Sequence, residues 1–113
     1  MSLDEYWATA PPHERPVAEL VLAHLRMLGP VTIEPVSVGI LVKHRRTFVE
    51  LRPMTKWEAV SFVLPRRVEH PRIARTMRAT GALTAHVVNV RTPDEVDDTL
   101  LDWLAEAYTS TQG

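Results

Sequence analysis

Short apolar runs with a period of two fill the middle of the chain. Val38, Ile40 and Val42 alternate with Gly39, Leu41 and Lys43, and after His44-Arg45-Arg46 the pattern resumes with Thr47, Val49 and Leu51 against Phe48, Glu50 and Arg52. After Pro53-Met54-Thr55-Lys56 a third run extends from Trp57 to Leu64. Alternation of this kind, broken by polar or proline-containing links, predicts an antiparallel meander. In the third run Glu58, Val60, Phe62 and Leu64 share one face, and Trp57, Ala59, Ser61 and Val63 share the other. Neither set is purely polar, so either both sides are partly covered or a groove lies over the second. A sheet of this type buries one face and needs a cover on it.

The flanking segments supply that cover. Pro16 suits the first position of a helix. Val17, Leu20, Val21, His24 and Leu28 then fall on one side, broadened by Leu22 and Leu25, until Gly29 and Pro30 end it. Val31 to Val36, bounded by Pro30 and Pro35, reads as an edge strand or extended connector. Arg66 to Arg78 shows little apolar periodicity; the spacing of Arg72, Arg75 and Arg78 predicts a helical turn or an irregular loop. Ala82 to Arg91 is apolar on both sides and predicts a strand inside the sheet. Thr92-Pro93-Asp94-Glu95 predicts a capping box opening a terminal helix, with Val96, Leu100, Trp103, Leu104 and Ala107 as its apolar stripe. Thr109 to Gly113 is expected to fray. The expected fold is therefore α+β, a small antiparallel sheet of four to five strands packed with an N-terminal and a C-terminal helix. Residues 1–15 read as an irregular lead-in, carrying Tyr6, Trp7 and His13, before a single domain over 16–113. Tyr6 and Trp7 anchor that lead-in or meet a partner.

The 113 residues suit one modest core, with 45% apolar and 24% charged side chains. No run approaches the roughly 20 apolar residues that cross a bilayer. The opening MSLDEYWA lacks the charged and apolar regions of a secretory signal. No cysteine is present, which removes thiolate chemistry, disulfides and cysteine-ligated metal and fits a cytoplasmic location. The net charge of −1 conceals an uneven distribution: from Lys43 to Arg78 ten basic side chains face three acidic ones, whereas beyond Arg91 there are six acids and no base. Overall charge gives no case for nucleic acid, although the central segment leans that way.

That segment offers the main candidate chemistry. Arg45, Arg66, Arg67 and Arg72 would make an anion site if the meander links and the segment after the third run share an end of the sheet, since guanidinium forks grip phosphate and carboxylate. His70 and His86 would add donors that titrate near neutrality. The competing interpretation is a solvated face whose arginines pair with the acidic terminal helix. Glu69 beside His70, and His86 with Asp97 or Asp98, are the candidate acid–base pairs, and Ser37 and Ser61 the candidate nucleophiles, with no catalytic motif around any of them. His44, His70 and His86 are the sole conceivable metal trio, and none of their spacings is that of ligands on a helix. Neither a cofactor nor a metal is expected, and whether the protein is an enzyme stays open.

Gly29-Pro30-Val31-Thr32, Pro35, Thr47-Phe48 and above all Arg66-Arg67-Val68-Glu69-His70-Pro71-Arg72, continuing through His86 and the helix from Thr92, resemble an uncharacterised bacterial family of domains of unknown function, number 5655. The likeness runs from about Pro16 to the end. It implies a compact α+β domain with a helix on each side of a small antiparallel sheet, and no activity. Relatives carry a Lys-Thr-Arg type run where this chain has Ser37, Val38 and Gly39, so those basic groups are missing here. Resemblance and charge together promote Arg45, Arg66, Arg67, His70, Arg72 and His86 as ligand-binding positions. The expected function is non-enzymatic binding of a small anion or nucleotide, without membrane or nucleic acid. The alternative is an interaction module that forms a homodimer through its sheet or its N-terminal segment, motivated by Trp57, Tyr6 and Trp7.

Overall fold

A computed structural model describes residues 1–12 and 15–111. The expectations at His13 and at Gln112 and Gly113 lie outside these residues. The elements run α1 (Leu3–Ala8), α2 (Arg15–Leu28), β1 (Thr32–Val36), β2 (Gly39–His44), β3 (Arg46–Pro53), β4 (Glu58–Leu64), β5 (Ile73–Arg78), β6 (Thr84–Val90), a 3-10 turn (Pro93–Glu95) and α3 (Asp98–Ser110). The six strands form one antiparallel sheet in the order β1-β2-β3-β4-β6-β5. The α+β class holds, with six strands instead of four to five and three helices instead of two.

The meander forms as its alternation predicts, and β4 alternates buried and half-buried positions along its whole length, with Glu58, Val60, Phe62 and Leu64 inward. β1 takes the sheet edge its prolines call for. Arg45 adopts a left-handed φ of 69°, which folds the chain back so that His44 pairs with Arg46. Ile40, Val42, Val49, Leu51, Val88 and Val90 complete the inward face, against Val17, Val21, Leu22 and Leu25 of α2 and Leu100, Trp103, Leu104 and Ala107 of α3. Burying a dozen or more such side chains, at about 25 cal/mol per Å2 of apolar surface, is what holds sheet and helices together. At Gly39 an added Cβ would lie 2.1 Å from the Leu51 carbonyl oxygen of the paired strand. Gly39→Ala is therefore expected to pry β2 from β3 and to lower stability in urea by about 2 kcal/mol.

Four expectations are corrected. The lead-in is not irregular: Ser2 caps α1 in a reciprocal capping box with Glu5, and Tyr6 is buried in the core. Of the arginine-rich stretch predicted as a helical turn or loop, Arg66 to Arg72 is irregular as expected, but Ile73–Arg78 is β5, an edge strand paired with β6 through a bulge between Ile73 and Arg75. The Thr92 box does not open a long helix; the Thr92 hydroxyl donates to Asp94 instead, and α3 starts at an Asp97 cap that accepts from the Leu100 amide at 3.1 Å. The intervening Val96 leaves helical geometry (φ −81°, ψ 80°). Thr109 and Ser110 are helical and Thr111 is 1% exposed, so the chain does not fray from Thr109 to Thr111.

Strand order dictates where the arginine–histidine stretch must go. β4 and β5 both run antiparallel to β6, which lies between them, so the chain from Pro65 to Arg72 crosses β6 on one face of the sheet. It crosses on the helix side, alongside α3.

Candidate functional site

Four contacts fasten the crossing segment. The Val68 amide donates to His86 Nε2 at 2.9 Å, which fixes the segment to the floor of the sheet. Arg66 grips Glu106 of α3 with both Nε and Nη2, at 2.9 and 2.8 Å. Arg72 reaches Asp97 at 2.7 Å and the Glu95 carbonyl at 2.8 Å. The His70 ring accepts the Arg72 amide on Nδ1 at 3.0 Å and meets Trp103 edge-on, with centroids 5.1 Å apart. The Arg66 hydrogen bond, and then its charge, hold the Glu106 carboxyl below the ordinary range, while Glu106 holds the Arg66 guanidinium above its own. Both partners meet water, so the pair orients the segment more than it stabilises the fold.

These contacts divide the six positions singled out from sequence. Arg66 and Arg72 are spent on acids of, and just before, α3. His86 is 0% exposed beneath the segment. Its Nε2 accepts a hydrogen bond, so the ring is neutral there, and burial, ahead of the charges of Arg66 and Arg67, pushes its pKa below the usual histidine value. Arg45 stands at the β2–β3 turn and borders neither of the grooves that Arg67 lines. Arg67 and His70 remain with their charged or polar ends outward. Arg67 is exposed, with Glu69 4.0 Å away.

Arg67 is common to two adjoining grooves between the crossing segment and β5. The first, about 290 Å3, has His70, Arg75 and Thr76 on its walls. The second, about 340 Å3, has Thr76, Arg78 and Thr84. Among the described residues Arg75 and Arg78 have no ion-pair partner. Arg67 and Arg78 thus flank the second groove; Arg75, which the register sets opposite Val87 on the other face of the sheet, lines only the first. Arg75, Thr76 and Arg78 escaped the sequence analysis because their strand did. An edge strand needs little burial, and the bulge disrupts its period. The one available signal was a short run bounded by Pro71 and Thr80-Gly81.

The other candidate chemistry finds different uses. His44 stacks on Tyr108 with centroids 4.1 Å apart and bonds the Pro30 carbonyl at 3.1 Å. Among the described residues no three His, Asp or Glu side chains gather as metal ligands would. The bonding nitrogens of His70 and His86 take backbone amides. Ser37 and Val38 turn the chain from β1 to β2 at the end of the sheet opposite Arg67. No helix among the described residues is long and apolar enough to cross a membrane.

The profile of a family described as "Domain of unknown function (DUF5655)" matches residues 3–111. No curated protein and no solved structure matches the chain.

Proposed function

From the premise that the chain belongs to the DUF5655 family, whose description names no activity, we propose that the domain binds a small anionic group, a phosphate or carboxylate, in the trough around Arg67. The observation that carries this is that Arg67 borders both grooves and shares the second with Arg78, which among the described residues has no ion-pair partner. A tetrahedral or planar anion lying between Arg67 and Arg78 accepts from two planar forks, each able to give two parallel hydrogen bonds. With Nδ1 occupied by the Arg72 amide, His70 keeps its proton on Nε2 and adds a neutral donor. Glu69 and its neighbours leave the trough open to water. The expected affinity is therefore modest and falls with salt.

The test is calorimetric titration with inorganic pyrophosphate at low ionic strength. Binding to the parent is expected to weaken at least tenfold, about 1.4 kcal/mol, in Arg67→Ala and again in Arg67→Ala/Arg78→Ala. Arg66→Ala is expected to change it less than about threefold, because that side chain is already committed to Glu106. A parent that takes up no pyrophosphate, or an Arg67→Ala variant that binds as the parent does, overturns the proposal.

A further inference from the structure

The sheet face turned away from the helices carries a second concavity. All three helices bury their side chains on the inward face. On the outer face the register lays two rows across the central strands: Arg52, Ala59 and Asn89, then Ser61, Val87 and Arg75. Small side chains in mid-sheet between long ones at the flanks leave a hollow of about 450 Å3, larger than either groove beside Arg67. Ala59, Ala74 and Val87 are its apolar lining, Trp57 and Met54 close one end, and Asn89 offers an amide.

Two features give the hollow a chemical preference. Arg52 on β3 and Arg75 on β5 stand on either side, about 14 Å apart across the sheet and about 7 Å along it, and among the described residues neither has an ion-pair partner. Trp57 is held as a wall: its carbonyl accepts the Met54 amide at 2.8 Å, and the Arg91 guanidinium lies 5.3 Å from the ring centroid. An apolar floor, an indole and a cation at the rim complement a flat apolar body with a negative end. A hollow of this size holds two fused rings.

We infer that the outer sheet face binds a planar aromatic carboxylate or phosphate, its rings against Trp57 and the alanine floor and its charge on Arg52. This site is separate from the trough around Arg67. Arg75 borders both, so the discriminating substitutions are Arg52→Gln and Trp57→Leu on one side and Arg67→Ala on the other.

The experiment titrates the full chain with 2-naphthoate and 2-naphthyl phosphate by calorimetry, with 2-naphthamide and acetate as the uncharged and ring-free controls. Naphthoate is expected to bind the parent and Arg67→Ala alike, at least tenfold more weakly to Arg52→Gln and Trp57→Leu, and without competition from pyrophosphate. The amide and acetate are expected to bind at least tenfold more weakly than naphthoate. The stronger of the two aromatic anions tells a carboxylate from a phosphate preference. Circular dichroism checks that each variant folds; Arg52→Gln, at an exposed position, keeps the test open if Trp57→Leu does not. Absence of naphthoate binding, equal binding to Arg52→Gln, or a concentration-dependent dimer that excludes naphthoate overturns the inference, the last by assigning the face to a second copy of the chain.

Discussion

Between pH 5 and pH 8 ionisation of Glu58 is expected to cost the protein about 2–3 kcal/mol of stability, and Glu58→Gln to remove that loss. Glu58 begins β4 on the inward face, is 2% exposed, and has an Oε2 with no hydrogen-bond partner. Burial pushes its carboxyl from 4.5 up to about 7. The same surroundings push the Tyr6 phenol up to about 12, burial first and the Glu58 charge second. A carboxyl whose pKa is higher folded than unfolded holds its proton more tightly when folded. Its contribution is whole below about 4.5, declines as pH rises, and is gone above about 7. A shift of that size corresponds to about 3 kcal/mol. Urea unfolding at the two pH values measures it: the glutamine variant is expected to equal the parent near pH 5 and exceed it by 2–3 kcal/mol near pH 8. Parallel profiles for the two proteins would place the charge in contact with water.

Replacing His86 is expected to be as damaging, by a different route. His86→Ala leaves a cavity beneath Phe62, whose ring stacks on the imidazole with centroids 5.5 Å apart, and strips the Val68 amide of its acceptor. The combined loss is expected to be about 3–5 kcal/mol. His86→Phe refills the space and isolates the second effect, at about 1–3 kcal/mol. It also separates a positioning role from a structural one. In the phenylalanine variant the Val68 amide is expected to exchange with deuterium faster than its neighbours in β6, and pyrophosphate affinity to fall although Arg67 itself is untouched. The imidazole titrates in the opposite sense to Glu58. Its folded pKa lies below the ordinary 6.5, so its contribution is whole above that value and is lost as pH falls toward the folded pKa. The two buried groups therefore act in opposite directions over the mildly acidic range, and the Glu58→Gln variant leaves the His86 limb alone.

Much of the architecture is legible in the chain because it is local. Alternation gives β2, β3 and β4, prolines give the exposed edge at β1, and heptad-like spacing gives the buried stripes of α2 and α3. What escapes depends on partners distant in sequence. β5 reads as an arginine run because an edge strand is stabilised by the backbone of β6, not by its own side chains. α1 was marked by Ser2 and Glu5, a capping pair in a segment too short to show a period. The site follows the same rule. Charge alone points to the stretch from Arg66 to Arg72, but only the crossing over β6 decides that Arg66 and Arg72 meet the acids at and before α3 while Arg67 turns outward toward Arg75 and Arg78.

That crossing also sets an order in time. The links between β2, β3 and β4 are short, so those hairpins zip early, whereas β6 cannot reach β4 until the whole stretch from Pro65 to Leu83 has looped out. Stopped-flow refolding is expected to show a rate limited by that closure, slowed by changes at Phe62 and Val88 and indifferent to changes in β5. A strand added last at a margin is also the first to peel away. Amide exchange is therefore expected to be faster in β5, which carries Arg78 of the trough, than in β6.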